Sequence, residues 1–173
     1  MPVGTTSFTD VTFPSELRSV QRYLASLPAF QNIEIRRRYE NGVLGGSYGR
    51  PYMLITLTQP EVETRNGYWG ISRPDFSIAY YAATFDAALV AVEEFEKLRW
   101  KNNRIPLWDY SVPAVPVQVT DHKLRVEKID TTLVEDLDED NNYNVFATLT
   151  VQGSRSVDKY SGQVLQSVSI TSP

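Results

Sequence analysis

Leu17, Val20, Leu24 and Leu27 recur at spacings of three and four residues, with polar side chains between them. That period places them on one side of a helix. Phe13-Pro14-Ser15-Glu16 opens the pattern, with Pro14 acceptable in a first turn, and Pro28 stops it. The period then changes to two. Ile33 and Ile35 alternate with Glu34, Arg36 and Arg38, which predicts a strand with one wet face. Tyr52 to Thr58 predicts a second strand, with Met53, Ile55 and Leu57 on one side, and Asp75 to Ala83 a third, with Phe76, Ile78 and Tyr80. Thr84 then offers an N-cap and Asp86 a first-turn anion. Phe85, Ala88, Leu89, Val92, Phe95 and Leu98 are the expected buried stripe of this second helix. A long strand is expected from Val117 to Leu133, with a phase shift near Lys128 that predicts a bulge. Tyr143 to Val151 alternates again as a fifth strand. The β-prone tail around 164–170 is expected as an edge strand or a partner arm.

Between these elements lie stretches that break regularity. Residues 41–49 hold four glycines in nine positions and read as a flexible loop. Residues 60–74 carry the Asn66-Gly67 turn signal and are long for a passive connection. Residues 105–116 contain three prolines with Trp108 and Tyr110, which excludes a regular helix there and suggests an extended segment laid over a surface.

Composition narrows the class. A chain of 173 residues, 42% hydrophobic and 22% charged, suits a single folded domain spanning 1–173 with its own core. The net charge of −4 argues against a general nucleic-acid binder, because neutralising phosphates takes a basic surface. Without cysteine there is no disulfide, thiolate metal site or cysteine nucleophile. No apolar run approaches the ~20 residues of a membrane helix, so no membrane partner is expected, and no signal peptide is visible.

Little in the chain points to catalysis. Asp136, Asp138 and Asp140 alternate like the first ligands of a calcium loop, but the positions that need glycine and glutamate are Asn141 and Ala147. With strand patterns on both sides, the acidic run reads as the charged turn of a hairpin. His122, the one histidine, stands beside Asp121, but neighbours on a strand point to opposite faces. No nucleophile elbow accompanies them. No catalytic residue, metal or cofactor is therefore assigned, and no enzyme is expected. Arg36, Arg37 and Arg38 form a short basic cluster, read as a salt-bridge or inter-subunit patch that the 135–140 tip of a neighbour could meet.

The expected fold is α+β: a mainly antiparallel sheet of about five strands, two helices on one face, in the order α-β-β-β-α-β-β. Extended loops at 60–74 and 104–116 and a C-terminal arm at 153–173 complete it. In order and texture the chain resembles the tail-terminator (tail-completion) proteins of long-tailed bacteriophages. "PSELRSVQRYLASLP" (14–28) is similar to their opening helix, and "IEIRRRY" with "YMLITLTQP" to their first sheet hairpin. "DFSIAYYAATFDAALVAVEEFEKLRW" (75–100) is similar to the strand-then-helix core, and "RVEKIDTTLVEDLDEDNNYNVFATLTVQG" (125–153) to the closing hairpin.

The resemblance implies a structural virion protein, assembled in the host cytoplasm as a homohexameric ring. That ring caps the tail tube and joins it to the neck or head-completion protein. Contact with nucleic acid is expected only as passage of DNA through the ring. The interface candidates are Arg36, Arg37, Arg38, Tyr68, Trp69, Trp108, Tyr110, Asp136, Asp138 and Asp140, because Trp, Tyr and Arg commonly anchor interfaces. The competing readings are another neck, head-completion or baseplate subunit, a small α+β enzyme, or a nucleic-acid accessory protein using the arginine cluster.

Overall fold

The computed structural model describes residues 12–37, 49–66, 69–100, 104–110, 112, 114–136 and 142–156. Two helices, α1 (Phe13–Ser26) and α2 (Phe85–Trp100), accompany eight strands. These are β1 (Glu34–Arg37), β2 (Tyr52–Gln59), β3 (Val62–Asn66), β4 (Trp69–Ser72), β5 (Asp75–Ala82), β6 (Arg104–Asp109), β7 (Val117–Asp136) and β8 (Asn142–Ser156). Across the main sheet the order is β1-β2-β5-β8-β7-β6. β1 runs parallel to β2, so these two strands are not the hairpin expected of them, and every other pair is antiparallel.

The chain is mostly β, which corrects the α+β expectation of about five antiparallel strands. The sheet is mixed, larger and curled. Three of the additional strands come from segments that looked like loops. β2 and β3 are one hairpin limb interrupted at Pro60, and β4 and β5 are the other, interrupted at Arg73-Pro74. Proline cannot donate to a ladder, so it interrupts the pairing without ending the hairpin. Beyond the break, β4 continues along the far end of β8, pairing Ser72 with Gly153. β6 arises in the proline-rich segment because it is an edge strand, where Pro106 needs no outward partner.

Several local expectations do hold. α1 begins at Phe13 with Pro14 in its first turn. Thr84 Oγ1 accepts the Ala87 N–H at 3.2 Å and so caps α2. The register of β7 on β8 shifts between Val126 and Lys128, where the alternation changes phase. Ala88, Phe95 and Leu98 of the expected α2 stripe are buried, but its other members are not. Ala88, Ala91, Phe95 and Leu98 are buried, while Phe85 and Leu89 are exposed. Small alanines on the inner side let the helix lie close to the sheet, and the larger side chains turn outward.

The core fills the concave side of the sheet. Met53, Ile55, Phe76, Ile78, Leu124, Ile129, Val145 and Leu149 are buried there under α2 and α1. Phe30, in the short 3-10 turn Pro28–Phe30, packs at 5.3 Å from Phe95 and edge-on at 5.6 Å from Tyr80. Burial raises the Tyr80 phenol above its usual pKa.

Gly153 sits where β8 passes beneath α1. A Cβ there would lie 2.9 Å from Leu124 Cδ2 and 3.3 Å from the buried Glu16 carboxylate. Leu124 is fully buried and has nowhere to retreat. Gly153→Ala should therefore destabilise the fold by about 1–3 kcal/mol, read as a lower urea midpoint with an unchanged slope.

Candidate functional site

The outermost strands of the curled sheet, β1 and β6, both come to rest against α1. Gln21 donates its side-chain amide to the Ile35 carbonyl of β1 at 2.7 Å. On the other edge, Ser19 Oγ accepts the Trp108 N–H at 2.9 Å and donates to the Ser15 carbonyl at 2.7 Å. Ser15 Oγ accepts the Tyr110 N–H at 3.2 Å. Two serines one turn apart thus serve in place of a neighbouring strand for β6. The Arg22 guanidinium lies 4.0 Å from the centre of the Trp108 ring, and that of Arg18 lies 5.4 Å from Tyr110. A cleft of about 390 Å³ follows this seam, lined by Arg18, Gln21, Arg22, Ile33, Ile35 and Tyr110 among others.

Trp108 and Tyr110 belong to a segment laid along α1, in keeping with the extended segment over a surface expected for 105–116. Arg36 forms an ion pair with Glu34 of its own strand, so its charge is partly answered within the chain. Arg37 lies in β1 opposite Ile55, but its side chain falls outside the described residues, as do Arg38 and Tyr68. Trp69 begins β4 opposite Asn66 and Ser156, and its side chain is likewise outside. Asp136 ends β7 directly opposite Asn142 of β8. The acidic run is therefore flanked by two paired strands. Asp138 and Asp140 fall outside the described residues, and no group of metal-binding side chains occurs among those described.

Two surfaces that the linear sequence hides are assembled by cross-strand pairing. The first crosses the convex face of the sheet. Tyr52 stacks on Tyr81 at 4.5 Å, and Tyr81 meets Phe146 edge-on at 6.5 Å. Arg50 holds one end of this row. It donates to the Ala82 carbonyl at 3.1 Å, to the Tyr143 carbonyl at 3.3 Å and to Asn144 Oδ1 at 3.0 Å. Its guanidinium also lies 5.5 Å from the Tyr81 ring centre. On α2, Phe85, Leu89 and Val90 are 44%, 40% and 47% exposed, and Trp100 at the helix end is 78% exposed.

The second surface is basic. Arg104, Lys123, Arg125 and His122 line a cleft of about 460 Å³ with Gln152, Gly153 and Ser154. His122 enters this cleft because β7 carries extra residues between Gln118 and Lys123, opposite Pro106–Trp108 of β6. Arg104 and Arg125 are 21 positions apart in sequence yet sit directly opposite each other in the β6–β7 register. Only the pairing pattern could have revealed that.

Compared with known proteins, the chain matches no family model and no curated protein.

Ser19→Ala would leave the Trp108 N–H without its acceptor in a half-buried position. The expected loss is about 1–3 kcal/mol of stability. Faster hydrogen exchange at the amides of Trp108 and Tyr110 than at those of β5 should accompany it.

Proposed function

We propose that this chain is a structural subunit of a long-tailed phage virion that assembles as a ring on the end of the tail tube. In that position the ring stops the tube and presents a surface to the neck or head-completion protein. The reading rests first on the resemblance of chain order and texture to tail terminators. The structural observation that supports it is apolar surface on two sides of one sheet. Phe85, Leu89, Val90 and Trp100 are exposed on α2, and Phe146 and Val134 are exposed on the convex face.

Exposed large apolar side chains on two sides of a sheet are candidate contact points for partners. A ring subunit has a neighbour on each flank, joined head to tail. Exposed apolar positions on two sides suit that arrangement better than they suit a free monomer. The acidic hairpin and the basic cleft add charge with opposite signs at separate places, which favours one orientation of neighbours over another.

The test uses tail tubes grown from purified tube protein. Added to such tubes, the protein should appear in electron micrographs only at tube ends and should halt further growth. Leu89→Asp places a charge on an exposed part of α2, so the subunit should fold while end-binding is lost. Decoration along the tube wall, or no association with tubes, would contradict the proposal.

A further inference from the structure

The basic cleft carries an inference about how copies of the chain meet. Arg104, Lys123 and Arg125 have no carboxylate within ion-pair distance among the described residues, whereas Arg36, Arg73, Lys97, Arg99 and Lys128 each have one. Arg104 faces Arg125 across two paired strands, and like charges placed directly opposite destabilise a sheet. Cations gathered at such a cost call for an anionic occupant.

The chain has one strongly acidic segment of its own. Residues 135–140 carry Glu135, Asp136, Asp138, Glu139 and Asp140, five carboxylates in six positions. Arg125 and Glu135 lie on the same continuous strand, β7, ten residues apart. At a rise of about 3.3 Å per residue the cleft and the acidic segment are roughly 33 Å apart. A molecule cannot fold its own segment back into its own cleft while β7 and β8 remain paired through Asp136 and Asn142.

We infer that the basic cleft at Arg104, Lys123 and Arg125 receives the acidic 135–140 segment of a second copy of this chain. Within the ring proposed above the contact is head to tail and repeats from copy to copy. The inference builds on the ring assembly proposed above and names the polar contact within it. It also replaces the Arg36–Arg38 patch as the partner of the acidic segment, since Arg36 is paired with Glu34.

Charge exchange tests it. One variant carries R104E, K123E and R125E, and another carries D136K, D138K and D140K. By analytical ultracentrifugation at low salt, the natural chain should form species larger than a dimer, and these should dissociate as salt rises. Each variant alone should weaken self-association by about 30-fold or more, and an equimolar mixture should restore it. Should the glutamates impair folding, R104Q/K123Q/R125Q serves instead. It should also weaken association while raising the melting temperature, because the Arg104–Arg125 repulsion is gone.

A natural chain that stays monomeric at low salt, or oligomers untouched by either variant, would overturn the inference. So would duplex DNA binding lost in the cleft variant while self-association persists, which would assign the cleft to phosphates. Loss of this contact would leave tube capping through α2 standing. Charge-dependent association without any affinity for tubes would do the reverse.

Discussion

The fold depends on how α1 holds the two ends of a curled sheet. Ser15 and Ser19 bind the backbone of β6, and Gln21 binds β1. Each such hydrogen bond contributes only about 1 kcal/mol net, but each group left buried and unpaired would cost more. That asymmetry fixes the sheet's curvature, because releasing either edge exposes polar backbone next to the core. It also accounts for serines in the middle of a helix, where they are otherwise poor formers. Ser19 returns one hydrogen bond to the helix and accepts another from the strand.

Covering these edges has a consequence for association. Free strand edges invite another chain to add itself to the sheet. Here β6 is backed by α1, whose serines take up its backbone N–H groups. What is left for partners is side-chain surface: the aromatic row on the convex face, the outward stripe of α2, the acidic hairpin and the basic cleft. Contacts through faces and charges set angle and direction between copies, as a closed assembly requires.

Much of the local structure could be read from residue order, because periodicity and caps are local properties. The helix from Phe13, the Thr84 cap and the β7 bulge near Lys128 all follow from short-range patterns. The strand count did not follow, because a proline looks the same in local sequence whether it ends a strand or only interrupts its pairing. Pro60 and Pro74 interrupt a hairpin that continues past them, and Pro106 lies within an edge strand. The buried side of α2 was hidden for another reason. A helix apolar on two sides does not reveal which side is buried, and Ala91 faces the core where Phe85 and Leu89 were expected to. The candidate site was least legible. Arg104 meets Arg125, and Tyr52 meets Tyr81, only through the register of strands distant in sequence. Trp108 and Tyr110 lie in a segment expected over a surface, but that the surface is α1 shows only in the fold.

The central claim is that copies of this chain join through faces and charges while each sheet keeps its own edges covered. A cryo-electron microscopy map of the oligomer formed at low salt tests this most directly. The account predicts closed rings in which the acidic hairpin of one subunit enters the Arg104–Lys123–Arg125 cleft of the next, with β1 and β6 still against their own α1. A map in which strands of neighbouring subunits join edge to edge into one continuous sheet would contradict it.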